Sequence, residues 1–208
     1  MNINGLHVIL GGLEFDRMRE LAKIADDEGA GVVQLRERSR SKNEVLKIAE
    51  ELRKIIRQAT FIVNDRADIA LATGADGVHL GQDDLPAEEA RIILGPNAII
   101  GVSTSNVEQA LEAQRAGANY IGFGHLFPTQ SKEKSSAPRT VEELRAVIEA
   151  VSIPVIAIGG ITLSNLNEIL IPGLGGVAVI SAVRGAENPC AVIRKLVKSV
   201  EEQNAVIA

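Results

Sequence analysis

Two kinds of chemical group stand close together in this chain, and their pairing is its most informative feature. The stretch Gly124-His125-Leu126-Phe127-Pro128-Thr129-Gln130-Ser131-Lys132 puts two hydroxyls and an ammonium within four residues, just past the apolar run Tyr120–Gly124. Short donors around a point positive charge suit a phosphate or pyrophosphate. The second kind is acidic: Asn64-Asp65, and then Asp84. Carboxylates beside a phosphate grip point to a magnesium ion between them. The residues therefore imply a magnesium-dependent pyrophosphate site.

Such groups need a frame. Eight short apolar runs recur along the chain: Leu6–Leu10, Gly31–Leu35, Thr60–Val63, Gly77–Leu80, Ile99–Val102, Tyr120–Gly124, Pro154–Ile158 and Gly176–Ile180. Helix-period segments lie between them, as in Val45, Ile48, Ala49, Leu52, Ile55 and Ile56. Capping boxes are expected at Ser41 with Glu44, Ser105 with Glu108, and Thr140 with Glu143. A last helix is expected over roughly 191–202. Eight strands alternating with helices predict an α/β protein of one domain over residues 1–208, a single (β/α)8 TIM barrel. An open doubly wound sheet is the alternative. It would want Gly-x-Gly-x-x-Gly after its first strand, which Gly11-Gly12-Leu13-Glu14 does not supply.

Bulk properties narrow the class. Of 208 residues, 46% are hydrophobic and only 2% aromatic, so the core must be aliphatic, as in strands buried on both faces. The net charge of −5, without a basic run, argues against nucleic acid. One cysteine, Cys190, excludes an internal disulfide and suits a reducing cytoplasm. The opening residues lack a signal-peptide pattern, and no stretch is long enough to cross a bilayer. The expected setting is cytoplasmic, without membrane or nucleic acid. The expected partners are phosphorylated small molecules, and a homodimer stays open.

In such a barrel, side chains at the C-terminal strand ends face the active site. That rule collects Gln34, Arg36 and Arg38 after strand two, and Asn64 and Asp65 after strand three. It adds Gln82, Asp83 and Asp84, then Ser103 and Thr104. His125, Thr129, Ser131 and Lys132 follow strand six, Gly159 and Gly160 strand seven, and Ile180 and Ser181 strand eight. Blander readings exist for several. Asp84 suits a helix cap beside Leu85-Pro86. Asn64-Asp65 suits a turn. Arg36 suits an ion pair with Glu37 or Asp65. Gly159-Gly160 suits a tight turn, although a helix start at Thr162 would make it an anion site. His7, His79 and Cys190 read as packing residues, and Lys134 as solvated. The irregular stretch 129–139 is long enough to serve as a lid.

Seven motifs in order then carry a resemblance over nearly the whole chain. They are Gln34-Leu35-Arg36-Glu37-Arg38, Val63-Asn64-Asp65-Arg66, Gly77-Val78-His79-Leu80-Gly81-Gln82-Asp83-Asp84, Gly101-Val102-Ser103, Pro128-Thr129-Gln130-Ser131-Lys132, Ile158-Gly159-Gly160-Ile161 and Ile180-Ser181-Ala182. The chain resembles the thiamine-phosphate synthase superfamily, which also contains the thiazole tautomerases. The resemblance implies a (β/α)8 barrel that couples hydroxymethylpyrimidine diphosphate to a thiazole phosphate, through a pyrimidine cation, with release of pyrophosphate. It makes Asp65 and Asp84 the ligands of Mg2+, and Arg36, Asn64 and Lys132 the diphosphate contacts, with Arg38 beside them. Gln34 and Ser103 match groups around the pyrimidine and its diphosphate. Thr129 and Ser131 match hydroxyls on the thiazole phosphate, which Gly160, Ile180 and Ser181 close. Lys132, Ser103 and His125 are the candidate catalytic residues.

Three departures from the synthase pattern stand out: Arg38 for the usual Lys, His125 for the usual Pro, and Gly11-Gly12 for a usual Thr-Asp. His125, like the opening Leu6-His7-Val8-Ile9, leans to the tautomerase branch, where a histidine would shuttle a proton in a carboxythiazole phosphate. The retained Asp65, Asp84 and Lys132 favour the synthase. One enzyme with both activities, or a regulatory binder of thiamine-pathway phosphates, stays as an alternative.

Overall fold

In the computed structural model, residues 3–129 and 137–205 are described. Eight parallel strands close into a barrel in simple sequence order. They are β1 (Gly5–Leu10), β2 (Val32–Leu35), β3 (Thr60–Asn64), β4 (Gly77–Leu80), β5 (Ile99–Thr104), β6 (Tyr120–Gly124), β7 (Val155–Ile158) and β8 (Gly176–Val179). Closure comes from β1 pairing with β8, with His7 opposite Ala178. Helices α1 (Phe15–Asp27), α2 (Lys42–Ile55), α3 (Ala67–Thr73), α4 (Ala87–Leu94), α5 (Val107–Arg115) and α6 (Val141–Ala150) fill the connections up to β7. A short α7 (Ser181–Arg184) and the long α8 (Pro189–Ala205) follow β8. The expected (β/α)8 architecture is therefore present.

Two apolar zones result from strand alternation. Outward-facing residues such as Val8, Val33, Phe61, Val78, Ile121 and Val177 join the inner faces of the helices in one large core. Inward-facing Ile9, Val32, Ile62, Ile99, Tyr120, Ile156 and Ala178 fill the barrel itself. Every strand is buried on both sides, which is why the sequence shows aliphatic runs instead of strict polar alternation.

Polar anchors lock the helix-to-strand turns at the end away from the site. Buried Asp26 accepts the backbone N–H groups of Arg57, Gln58 and Ala59, at 3.1, 2.8 and 2.7 Å. Asp76 takes the Phe61 N–H at 2.7 Å and the Arg53 guanidinium at 2.9 Å. Such groups satisfy donors that burial would otherwise leave unpaired.

Two local expectations need correction. The capping boxes at Ser41 and Thr140 form as expected. The third is shifted by one residue: Asn106 caps α5 by accepting the Gln109 N–H, and the Gln109 side chain returns to Ser105. Asn is an equally good cap, and it wins because it sits one residue closer to the first helical position. The helix expected from Thr162 does not form. Between β7 and β8 there is only a single 3-10 turn, Leu166–Glu168, and Thr162 is held in a turn by Asn165 instead. The last helix is longer than expected, because it starts at Pro189, where a missing N–H costs nothing.

Candidate active site

At the C-terminal mouth of the barrel lies a cleft of about 380 Å³. Gln34, Arg36, Arg38, Asn64, Asp65, Ser103, His125, Thr129 and Ile180 all line it. Strand ends β2, β3, β5 and β6 thus converge as the barrel rule requires. Ser131, Lys132, Lys134, Ser135 and Ser136 lie outside the described residues, as does most of the stretch expected to act as a lid.

The acidic side of the cleft is built by two loops. Asp65 follows β3 with φ at 63°, a left-handed conformation that costs a non-glycine residue about 1 kcal/mol or more. Its N–H donates to the His79 carbonyl at 2.8 Å, which holds that turn against β4. The Asp65 carboxyl meets the Asp84 carboxyl, so burial and the second acid both raise its pKa, while Arg38 pulls it back. Arg38 donates to Asp65 Oδ2 at 2.9 Å. With 51% of the Arg38 side chain exposed, that pair is well solvated and readily exchanged. Asp84 does not cap α4: Pro86 holds the cap position, and Asp84 instead accepts the Gly81 N–H at 2.7 Å. Two carboxyls in contact, one of them bonded to a half-exposed arginine, form an all-oxygen donor pair, which fits a hard divalent cation.

The basic side is Arg36. Its guanidinium is partly buried, and burial together with Arg38 lowers its pKa. No side-chain hydrogen bond joins it to another of the described residues, and it lines the cleft. The expected pairing of Arg36 with Glu37 is not made. Glu37 instead takes the Gly12 N–H at 3.0 Å and both donors of Ser39, and stands 3.7 Å from Arg40.

The opposite wall comes from β6 and β7. His125 follows Gly124 through a cis peptide and is buried against the cleft. Its carbonyl accepts the Arg139 N–H at 2.7 Å, which brings Arg139 to the cleft lining as well. Gly159 and Gly160 both have positive φ. A Cβ on Gly159 would sit 2.3 Å from the His125 Cβ, and one on Gly160 would sit 2.6 Å from the Pro128 carbonyl oxygen. The glycines are therefore required by the close packing of the β6 loop on the β7 turn. Gly160 and Ser181 lie beyond the main cleft lining. Ser181 opens α7, where the first amides of a helix lack intrahelical partners.

The floor is polar where packing residues were expected. His79 Nδ1 lies 2.9 Å from the Tyr120 hydroxyl, and His79 Nε2 lies 2.8 Å from Ser103 Oγ. Gln34 lines the same part of the cleft. His79 is thus buried but built into the site, a correction to its reading as mere packing. The signal was available: His79 sits two residues before Gly81 on the inward phase of β4, level with Asn64 and Gly101. His7 is buried lower in the barrel. It donates from Nε2 to the Ile3 carbonyl at 2.8 Å and stacks edge-on against Tyr120, and burial lowers its pKa to about 4. Cys190 lies on the far side, with its thiol on Glu28 Oε1 at 3.0 Å.

The profile described as thiamine monophosphate synthase matches residues 6–183. The chain belongs to the thiamine monophosphate synthase family. A protein of Chlorobium luteolum named thiamine-phosphate synthase is 54% identical over 170 residues, spanning 81% of this chain and 80% of that one. One of the same name from Pyrococcus horikoshii is 47% identical over 182 residues, spanning 86% and 87%. The solved thiamine phosphate pyrophosphorylase of Pyrococcus furiosus superposes with a TM-score of 0.84 at 42% identity, covering 97% and 98% of the two chains. A 3-hexulose-6-phosphate synthase with 19% identity and a TM-score of 0.72 shares the fold. No helix among the described residues is long and apolar enough to cross a membrane.

Proposed function

We propose that this chain is a thiamine-phosphate synthase, a transferase of thiamine biosynthesis that couples hydroxymethylpyrimidine diphosphate to thiazole phosphate and releases pyrophosphate. The observation that carries the reading is the contact of the Asp84 carboxyl with Asp65, which lines one cleft together with Arg36, within a chain that belongs to this family.

Asp65 and Asp84 would hold Mg2+, which supplies positive charge where the leaving diphosphate gathers negative charge. Arg36 reaches the same oxygens from the other side with a planar, permanently charged fork. Arg38 leaves Asp65 and takes up the diphosphate, a change its exposure makes cheap. Asn64 adds a neutral donor, and Lys132 a further cation. Gln34 and Ser103 orient the pyrimidine over the barrel floor. Thr129, with Ser131, Gly160, Ile180 and Ser181, holds the thiazole phosphate, so the thiazole nitrogen faces the carbon that loses its diphosphate. Fixed donors aimed at growing charge are the largest expected contribution. The apolar residues Ile9, Ile156 and Ile158 beneath the site keep water from the electron-poor pyrimidine.

The experiment is Asp84→Ala, assayed for thiamine phosphate formation across a magnesium titration. The reading expects coupling to be lost. Retained magnesium-dependent coupling overturns the role given to Asp84. An isomerase reading is favoured in the structure by the buried His125 at the cleft wall. It predicts isomerisation of carboxythiazole phosphate that His125→Ala removes.

A further inference from the structure

The loop after β2 carries two of the cleft's cations, with a carboxylate between them that serves neither. Arg36 and Arg38 line the cleft, and Glu37 does not. Alternation along an extended chain puts Glu37 on the opposite side from its two neighbours. There its side chain is only 1% exposed. Its Oε2 accepts the Gly12 N–H at 3.0 Å. Its Oε1 accepts the Ser39 N–H at 2.9 Å and the Ser39 hydroxyl at 2.6 Å. Arg40 stands 3.7 Å from the same carboxylate and donates to the Leu13 carbonyl at 3.0 Å. The β2 loop thus holds both a donor and an acceptor of the turn after β1.

The backbones close on each other as well. The Arg36 N–H donates to the Leu10 carbonyl at 2.7 Å. A Cβ on Gly11 would sit 1.8 Å from the Arg36 carbonyl oxygen, so only glycine lets the turn lie against Arg36. Gly12 follows at φ 62°, a conformation that glycine adopts without a steric penalty. Gly11-Gly12, a departure from the synthase pattern, is therefore the seat on which the arginine-bearing loop rests.

We propose that Glu37 is a positioning residue: it braces the β2 loop on the Gly11-Gly12-Leu13 turn and so sets the spacing at which Arg36 and Arg38 grip one diphosphate. The proposal rests on the reading that both arginines take the diphosphate. A carboxylate suits the task because it accepts from donors on two loops at once through two oxygens, whereas an amide has one. A diphosphate carries charge on two linked groups and rewards two cations at a fixed separation. A single phosphate can be held by one. Long arginine side chains lose rotamer freedom on binding, and a fixed backbone beneath them limits how much more must be ordered.

The test compares two anions. Inorganic pyrophosphate and orthophosphate, each with Mg2+, are titrated calorimetrically into the wild type, Glu37→Ala, Glu37→Gln and Arg40→Ala. Glu37→Ala should weaken pyrophosphate about tenfold, the worth of one charge-assisted hydrogen bond, and orthophosphate by less than about twofold. Glu37→Gln should fall between the wild type and Glu37→Ala. Arg40→Ala, which removes the second arm of the brace, should weaken pyrophosphate about threefold. In the coupling assay, KM for the pyrimidine diphosphate should rise in step while KM for the thiazole phosphate stays within about twofold. A residue that merely supports the fold would lower the melting temperature and weaken both anions and both substrates alike, and that result overturns the proposal. So does unchanged pyrophosphate affinity in folded Glu37→Gln and Arg40→Ala, which decide the matter if Glu37→Ala does not fold. A wild type without affinity for pyrophosphate removes the reading of the two arginines and the brace with it. A wild type that binds pyrophosphate beside unmoved variants overturns the brace alone.

Discussion

Acid should destabilise this barrel through His7, and the size of the effect follows from its burial. His7 lies inside the barrel with a pKa of about 4, against 6.5 when unfolded, because burial penalises the charged ring more than its bond to Ile3 helps. Below pH 6.5 the unfolded chain takes up a proton that the folded chain refuses. Stability therefore rises with pH in this window, and the contribution of His7 is lost as pH falls from 6.5 toward 4. A shift of about 2.5 units corresponds to about 3 kcal/mol over the whole window, and about 2 kcal/mol of it is gone by pH 5. Carboxylates titrate in the same range, so the informative quantity is a difference between two proteins. His7→Gln keeps an N–H for the Ile3 carbonyl but cannot ionise. Urea unfolding of both proteins at pH 7 and pH 5 should show the variant gaining about 2 kcal/mol on the wild type at the lower pH, with similar slopes in denaturant. Parallel stability curves for the two proteins would refute the reasoning.

Other expectations follow from single contacts. Gly101→Ala forces a methyl into the Tyr120 ring and should cost about 3 kcal/mol, seen as a lower melting temperature with activity reduced beyond what unfolding explains. Asp26→Ala leaves the buried Ala59 N–H and the part-buried Arg57 and Gln58 N–H groups without their acceptor and should cost about 2 kcal/mol in urea unfolding with kcat unchanged, because it lies at the opposite end of the barrel. His125→Ala should leave the coupling reaction within about threefold of the wild type. A complete loss of coupling would give His125 a role in the synthase chemistry.

The frame was legible because strand and helix periods differ so plainly here. All eight apolar runs became strands, with ends shifted by a residue or two. The rule that strand ends face the site then brought Gln34, Arg36, Arg38, Asn64, Asp65, Ser103, His125 and Thr129 to one cleft. What escaped the sequence depends on three-dimensional competition. Asp84 left a helix cap open beside its metal reading, and only the structure shows that Pro86 holds the cap place while the carboxylate stands beside Asp65. Gly159-Gly160 looked like the approach to a helix, but its constraint is the β6 loop lying on top of it. His79 looked like packing because a histidine in an apolar run has no visible partner along the chain. Its partners, Tyr120 and Ser103, are 41 and 24 residues away.

The most direct measurement is a coupling assay. Purified protein is supplied with hydroxymethylpyrimidine diphosphate, thiazole phosphate and Mg2+, and a parallel sample contains a chelator. Thiamine phosphate and pyrophosphate formed in equal amounts, and only with Mg2+, is the predicted result. No thiamine phosphate with active metal present, or formation indifferent to the chelator, would contradict the account of Asp65, Asp84 and the cleft they face.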